Sequence, residues 1–293
     1  MKNNLVKRFK RIYIEITNKC NLSCSFCPKS ERTLGSMSLE QFSYVIDTVA
    51  NYTDYVLLHV KGEPLMHKDL KEILSICAKA TLNVNITTNG TLLDKNIETL
   101  TAYPVRQISV SLHSIYVNAG IDYNTYLQNI MSAYRILNEK TNTLISLRLW
   151  NLDETNANND QRQRNEYIIK YIENEFNLDY SIRTVLSEGK GHLLTDRTFL
   201  NIDYEFQWPN LHNDYCNSNG YCYGLKNQLA ILCDGTVVPC CLDGEGIINL
   251  GNIFSESLET IISSTRSQNI INGFNSRKST EDLCNHCSYK SRF

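Results

Sequence analysis

Three cysteines near the start of the chain have a spacing that suits one shared metal centre. Cys20, Cys24 and Cys27 follow the pattern Cys-x3-Cys-x2-Cys, directly after a run rich in isoleucine. Thiolates are soft ligands that bind iron–sulfur clusters or zinc. Three thiolates on a cubane cluster would leave one iron open, and an open coordination position is typical of a catalytic metal site. Zinc and an inert buried cysteine cluster are the alternatives.

A second group of cysteines lies in the last third of the chain. Cys222 and Cys240 flank a hairpin that an Asp-Gly dipeptide predicts, and the hairpin would bring them near one end. Cys284 and Cys287 are separated by two residues, a spacing that lets both bind one metal. Four thiolates suit a closed [4Fe–4S] cluster or a structural zinc ion. Adjacent Cys241 is the alternative to Cys240 as the ligand.

The composition limits the classes of protein to which the chain can belong. It has 293 residues, 11 cysteines, and 29 Lys and Arg against 31 Asp and Glu. A chain of this length needs no disulfides for stability, and it carries no secretion signal, so free thiols in a reducing cytoplasm are expected. No apolar run approaches the roughly 18 residues of a membrane span. The near-neutral charge gives no basic field, so we expect neither a membrane nor a nucleic-acid partner.

The elements that must position these residues alternate between strand and helix. The predicted strands are Arg11–Thr17, Tyr55–Val60, Asn83–Thr87, Gln107–Leu112, Leu144–Trp150 and a further one near Tyr180–Val185. The predicted helices are Ser38–Asn51, Lys68–Ala80, Asp94–Ala102, Asp122–Asn138 and Asn165–Phe176. Residues 151–166 are rich in Asn, Asp and Gln and predict a solvated excursion. This alternation predicts right-handed βαβ units and a parallel sheet.

Each predicted strand has one aliphatic face and one polar face. The polar faces carry residues such as Glu15, Ser109 and Arg148, whereas parallel strands covered on both sides are usually apolar throughout. An unpaired buried polar group costs on the order of 1–3 kcal/mol, so these faces must meet water or a ligand. A curled sheet whose polar face lines a cavity meets this requirement. An open sheet with one solvated face is the alternative.

The first cysteine motif, with the aromatic Phe26 before its last cysteine, resembles the signature of radical S-adenosylmethionine (SAM) enzymes. The resemblance implies that the three thiolates hold a [4Fe–4S] cluster whose open iron binds SAM. One electron then cleaves SAM to a 5′-deoxyadenosyl radical. It also implies an α/β fold, a partial (β/α)6 barrel similar to a TIM barrel, with a polar lumen.

Other motifs at predicted strand ends extend this resemblance to the binding of SAM. Gly62-Glu63-Pro64 resembles the family's Gly-Gly-Glu, which holds the methionine amino group, but Lys61 stands in place of the first glycine. Ser111 would contact the ribose or the carboxylate, and Arg148 can pair with the carboxylate because a guanidinium binds it bidentately. An ordinary Thr-Asn-Gly turn and an arginine that balances Glu15 are the alternatives at two of these sites. The implied cofactor-binding residues are Phe26, Gly62, Glu63, Asn89, Ser111 and Arg148.

The later cysteines resemble another known pattern. Cys222, twelve residues, Gly235, four residues and Cys240 resemble the first half of the SPASM/twitch pattern, and Cys284 with Cys287 would close the set. The full SPASM pattern has further cysteines that this chain lacks, so the resemblance implies one auxiliary [4Fe–4S] cluster. We therefore expect a radical SAM partial barrel over residues 1–200 and a SPASM/twitch-like domain over residues 201–293.

The resemblance implies an oxidoreductase or modifying enzyme that removes a hydrogen atom from its substrate, with help from the auxiliary cluster. An external one-electron donor such as flavodoxin or ferredoxin would be its partner. The first strand begins near Arg11, which leaves no room for a leader-binding domain. We therefore expect a small-molecule substrate, or a peptide presented by a separate protein. The alternative function is a non-catalytic zinc or iron–sulfur scaffold.

Overall fold

The computed structural model of the chain describes residues 7–117, 122–150, 159–186, 191–203 and 207–292. The described strands are β1 (Arg11–Ile14), β2 (Tyr55–Leu57), β3 (Asn83–Thr88), β4 (Gln107–Ser111), β5 (Leu144–Leu149), β6 (His192–Thr195), β7 (Thr198–Ile202), β8 (Gln228–Ile231) and β9 (Val237–Val238). The described helices are α1 (Leu39–Val49), α2 (Leu70–Lys79), α3 (Leu93–Ala102), α4 (Tyr123–Lys140), α5 (Asn159–Glu175), α6 (Ile182–Leu186), α7 (Leu258–Ser263), α8 (Thr265–Asn275) and α9 (Asp282–Asn285).

The chain forms two compact units, and each is described by itself. The first contains Met1–Cys20, Pro28–Val84 and Phe206–Phe293, and the second contains Asn21–Cys27 and Asn85–Glu205. The boundary therefore falls inside β3. It also falls inside the first cysteine motif, after its first cysteine.

In the first unit, β1 lies between two parallel neighbours. It pairs with β2 on one side and with β8 on the other, and β8 turns back into antiparallel β9. The aliphatic face of β1 is fully buried, because Ile12, Ile14 and Ile16 have no exposed surface. α1 is capped by Ser38 and packs with α2, and it buries four apolar residues at helical spacing. The predicted parallel pairing and the predicted Asp-Gly hairpin are both confirmed here.

The opposite face of β1 differs from the expectation that it meets water or a ligand. Tyr13 is 8% exposed and Glu15 is fully buried. Tyr13 belongs to an apolar cluster that also contains Leu57, Val60, Ala230, Leu232 and Val238. Residues of the β8–β9 hairpin region therefore cover this face. A single-strand polarity pattern could not predict this, because the cluster members from β8, β9 and the loop between them are more than 200 positions away in sequence.

In the second unit, β3, β4, β5 and β7 form parallel neighbours in that order, and β6 pairs antiparallel with β7. β3 buries Val84, Ile86 and Thr88 alternately, as its predicted two-residue period requires. In-register pairing places Ser111 beside Arg148, and Arg148 beside Asn201. Polar side chains on adjacent strands thus share one face of the sheet.

The strand predicted near Tyr180–Val185 is wrong. Residues Ile182–Leu186 form α6, and the parallel neighbour of β5 is β7 instead. Ile182 and Val185 are three residues apart, a spacing that suits one helical turn as well as a short strand. Of the polar stretch 151–166, residues 151–158 lie outside the described part of the chain, and the rest begins α5. No helix in the described ranges has the length and hydropathy that crossing a membrane requires.

Candidate functional site

The segment that leads into the first cysteine motif is held by its own polar side chains. Thr17 Oγ1 donates to the Gly35 carbonyl at 2.9 Å. Asn18 donates to the Thr33 carbonyl at 3.0 Å and accepts from the Gly35 N–H at 2.7 Å. The chain that returns after the motif is therefore bonded to the residues that precede Cys20, whose own side chain is exposed.

The loop after β2 also contacts this segment. The Glu63 N–H donates to the Lys19 carbonyl at 2.8 Å, one residue before Cys20. Gly62 has φ +75°, and a Cβ there would lie 2.4 Å from the Thr17 carbonyl oxygen. The Glu63 side chain is 2% exposed and its Oε1 accepts from the Leu65 N–H at 3.1 Å. The predicted Gly-Glu pair therefore lies against the start of the cysteine motif.

The second unit holds the middle of the motif through the loop after β3. Asn89 Nδ2 donates to Asn21 Oδ1 at 2.9 Å, and Asn21 Nδ2 donates to Thr91 Oγ1 at 2.8 Å. Asn89 Oδ1 also accepts from the Thr91 N–H at 3.0 Å, and Tyr126 donates to the Asn89 carbonyl. Asn89 is therefore bonded both within its own turn and to Asn21, a residue of the motif.

The end of the motif lies beside the loop after β4. Cys24 Sγ is 3.7 Å from the Ser114 carbonyl oxygen, and the Cys27 N–H donates to the Cys24 carbonyl at 3.1 Å. The ring of Phe26 is 5.0 Å from that of His113, measured between centroids. Both thiols are half-buried. The motif therefore forms a turn whose aromatic residue packs on a neighbouring strand end.

Arg148 lies in register with Ser111 on the polar face of the second unit. Its guanidinium carbon is 3.4 Å from the centroid of the Trp150 ring, a cation–π contact. His113 is buried nearby, with Nδ1 3.2 Å from the Arg148 carbonyl oxygen. Burial, and then the positive charge of Arg148, lower the pKa of His113 to about 4, so its imidazole is neutral at pH 7. This face therefore offers one guanidinium and one neutral imidazole.

The four later cysteines of the predicted set all belong to the first unit, where several of them shift one another's pKa. Burial raises the pKa of the Cys240 thiol, and the neighbouring Cys222, Cys241 and Cys284 raise it further. The pKa of Cys284 is raised by burial and then by Cys222 and Cys287. Thiols that raise one another's pKa need a cationic partner to ionise, as a metal cluster provides. The donor set therefore fits a sulfur-ligated cluster.

Cys241 occupies a different environment from Cys240. Its thiol hydrogen-bonds the Tyr13 hydroxyl and packs against the apolar cluster around Tyr13. Burial, and then Cys241, raise the pKa of Tyr13 well above its usual value. Both thiols have Cys222 as an electrostatic neighbour, but only Cys241 has the Tyr13 hydroxyl as a side-chain hydrogen-bond partner.

All eleven cysteines are free thiols, as expected for metal ligands rather than disulfides. Cys77 is buried in α2, and burial raises its pKa to about 12, which is typical of an inert core thiol. Within the described ranges, no three or more Cys, His, Asp or Glu side chains converge on a position for a single metal ion.

Glu15 is a buried acid with several hydrogen-bond donors around its carboxylate. Its carboxylate, fully buried, accepts from Arg32 Nη2 at 2.7 and 2.6 Å, from the Lys61 N–H at 3.1 Å and from the Cys233 N–H at 3.1 Å. The acid in an isoleucine-rich run could have indicated from the sequence that a buried carboxylate needs partners here. Its partners could not be read from the sequence, because they come from three separate loops.

Models of two protein families match the parts of the chain that contain the two cysteine groups. A model described as the radical SAM superfamily matches residues 14–155, and one described as an iron–sulfur cluster-binding domain matches residues 222–288. A curated relative, a probable GTP 3′,8-cyclase of Methanosarcina mazei, is 27% identical over 285 residues, which span 85% of this chain and 83% of that protein. An AdoMet-dependent heme synthase of Methanosarcina barkeri is 37% identical over 102 residues, or 33% of this chain and 29% of that protein.

Solved structures share the fold at low sequence identity. BtrN in complex with AdoMet and 2-DOIA has a TM-score of 0.58 at 17% identity, over 97% of this chain and 94% of that one. Streptococcus suis SuiB bound to S-adenosylmethionine has a TM-score of 0.54 at 18% identity, over 98% of this chain and 72% of that one. The predicted fold class, a radical SAM partial (β/α)6 barrel with a smaller cysteine-rich domain, is confirmed. The chain therefore belongs to the radical SAM superfamily: it is an enzyme that uses a [4Fe–4S] cluster with SAM, and its C-terminal iron–sulfur domain binds an auxiliary cluster.

Proposed function

We propose that Cys20, Cys24 and Cys27 hold the cluster that binds SAM, and that the enzyme removes a hydrogen atom from its substrate. When bound there, the cluster and SAM supply the 5′-deoxyadenosyl radical for this step. The observation that carries the proposal is the Cys-x3-Cys-x2-Cys motif, which follows β1 within the matched superfamily region. The protein contributes placement and the exclusion of water.

Different observations support the individual residues that are proposed to bind SAM. Gly62 and Glu63 contact the segment before Cys20, and Glu63 is a buried carboxylate that can receive the methionine amino group. Ser111 and Arg148 lie in register on a polar face, where Arg148 can bind a carboxylate. Phe26 and Asn89 position the motif itself, through His113 and Asn21. The proposed SAM-binding residues thus come from loops that follow strands and, for Ser111 and Arg148, from the strands β4 and β5.

We propose that Cys222, Cys240, Cys284 and Cys287 bind one auxiliary cluster. Cys240 has Cys222 and Cys284 as electrostatic neighbours, whereas the Cys241 thiol hydrogen-bonds the Tyr13 hydroxyl, which supports Cys240 as the ligand. Four protein thiolates leave no open iron for substrate, so electron transfer from a substrate radical is the proposed role. The net reaction would then be an oxidation, with the first electron from an external donor such as flavodoxin or ferredoxin.

The proposed substrate is a small molecule or a peptide. Among the fold neighbours, BtrN binds 2-DOIA and SuiB binds the precursor peptide SuiA. The chain spans 94% of BtrN but 70% of the SuiB chain in its peptide complex. Both substrate classes are therefore part of the proposal.

The proposal is tested on anaerobically reconstituted protein by iron and sulfide analysis, EPR and 5′-deoxyadenosine formation with SAM and dithionite. We expect about eight irons per chain in the natural protein and about four after Cys20, Cys24 and Cys27 are replaced by Ala, with no 5′-deoxyadenosine from that variant. Cys216→Ala, which removes an exposed thiol outside both sets, should match the natural protein. Undiminished iron in the triple variant would overturn the proposal, and zinc as the main metal would favour the scaffold function.

A further inference from the structure

Lys61 is a buried lysine with an unusual set of partners. It stands where the family-like Gly-Gly-Glu motif would have its first glycine, and its side chain is 4% exposed. Its Nζ donates to the Pro28 carbonyl at 2.6 Å and lies 3.5 Å from Glu245 Oε1. It also lies 5.1 Å from the centroid of the Trp208 ring. The ammonium therefore joins two separate loops.

The same two loops are joined by further hydrogen bonds. Ser30 Oγ and the Glu31 N–H donate to Glu245 Oε2 at 3.2 and 2.9 Å. Arg32 Nε donates to the Gly244 carbonyl at 2.9 Å. A Cβ at Gly244 would lie 2.6 Å from Lys61 Cε, so this glycine permits the close approach. We call residues 28–32, residues 244–245 and the Lys61 side chain the Lys61 clamp.

The buried carboxylate of Glu15 is bonded to two residues of the clamp. Glu15 binds the Lys61 N–H and the Arg32 guanidinium with its two oxygens. Removal of one partner from a buried charged network leaves an uncompensated charge, so such a network holds its loops in one arrangement. Lys61 therefore contacts Glu15 through its backbone N–H, and it contacts Pro28 and Glu245 through its side chain.

The clamp joins segments that follow cysteines of both proposed cluster sites. Pro28 directly follows Cys27, and Glu245 is five residues after Cys240. We propose that Lys61 is a positioning residue that holds the segment after the SAM-cluster motif on the loop after the auxiliary ligand, so that SAM binding depends on an intact auxiliary loop. The clamp itself rests on the contacts above, and only its effect on SAM rests on the proposed function.

The first test is limited trypsin digestion of the reconstituted enzyme, followed by mass spectrometry. Lys29 and Arg32 are trypsin sites within the clamp. We expect Lys61→Met to speed cleavage at these sites about tenfold, because the segment opens locally more often. Lys68→Met is the matched control, since the Lys68 side chain is 87% exposed. Cleavage of Lys61→Met at the natural rate would overturn the clamp.

The second test separates positioning from a structural role. We expect the KM for SAM to rise about fivefold or more in Lys61→Met, with a smaller change in kcat and unchanged iron content. Glu245→Gln, at a side chain 27% exposed, should shift KM in the same direction if Lys61→Met fails to fold. An unchanged KM for SAM in a variant with faster cleavage would overturn the positioning role. If the natural protein makes no 5′-deoxyadenosine, the proposed function fails, and digestion still decides on the clamp.

Discussion

At the scale of single residues, the loop after β2 leaves no space for a side chain at Gly62. A Cβ there would approach the carbonyl oxygens of Thr17 and Lys19 to 2.4 and 2.8 Å, and both are backbone atoms that cannot turn aside. The positive φ of +75° adds backbone strain for any other residue. The loop can therefore contact the segment before Cys20 only when residue 62 is glycine.

Gly62→Ala should lower the free energy of unfolding by about 1–3 kcal/mol, because both the clash and the strain must be relieved by movement of the loop. We expect a Tm lower by several degrees and less iron per chain, measured by differential scanning fluorimetry and iron analysis. Gly35→Ala is the control, because the nearest atom to a Cβ there is Cys233 Sγ at 3.9 Å. Equal Tm values for the two variants would contradict this explanation.

The spacing of the cysteines allowed a prediction about their shared chemistry, but the sequence did not reveal the partners of the charged residues. Cys20, Cys24 and Cys27 lie within eight residues, so local spacing indicates their shared chemistry. Glu15 binds Cys233, which is 218 positions away. An ion pair or hydrogen bond at such a separation is set by the packing of whole elements, and no periodic pattern indicates it.

At the scale of elements, α1 begins with a complete capping box. The Gln41 N–H donates to Ser38 Oγ at 3.1 Å, and the Ser38 N–H donates to Gln41 Oε1 at 2.9 Å. These bonds satisfy donors that the first turn of a helix leaves unpaired. The cap lies shortly after the Thr33–Gly35 segment that bonds to Asn18. It therefore fixes the point where the chain leaves the motif loop and enters the helix.

Ser38→Ala should cost about 1 kcal/mol of unfolding free energy, since the Oγ acceptor for the Gln41 N–H is lost. Chemical denaturation would measure this as a lower midpoint with an unchanged slope. Ser38→Thr keeps a hydroxyl and should recover most of the loss. Equal midpoints for the Ala and Thr variants would show that the cap contributes nothing.

Strands were predicted well where the alternation of apolar and polar residues was long. β3 buries every second residue, and its predicted and observed bounds differ by one residue. β7 was missed because the assignment of a strand near residues 180–185 used a short apolar spacing that α6 satisfies equally well. Thr198 and Leu200 of β7 are fully buried, but only the pairing with β5 reveals that.

At the scale of the whole molecule, one compact unit takes its residues from both ends of the chain. The first compact unit combines Pro28–Val84 with Phe206–Phe293. β1 has β8 as a direct parallel neighbour, and Glu15 accepts from the Cys233 N–H. The start of the barrel sequence and the iron–sulfur domain sequence therefore share one hydrophobic core.

A chain that ends at residue 205 should not fold to a stable barrel. It would lose the fully buried Leu229, Ile231, Leu232 and Val238. Each large buried aliphatic side chain that is removed costs about 2–5 kcal/mol, so the loss of these four, about 8–20 kcal/mol, is as large as the roughly 5–15 kcal/mol that stabilises a domain. We expect an insoluble product, or a soluble one without a cooperative thermal transition by circular dichroism.

The full-length Cys284→Ser and Cys287→Ser double variant separates the loss of packing from the loss of the auxiliary cluster. It keeps the β8–β9 hairpin and removes two proposed ligands, so it should stay folded and retain about four irons per chain. If the chain of residues 1–205 instead melts cooperatively near the Tm of this double variant, residues 206–293 do not complete the core around β1. The burial of Tyr13 and Glu15 would then need another cause, because both are covered by residues of the hairpin region.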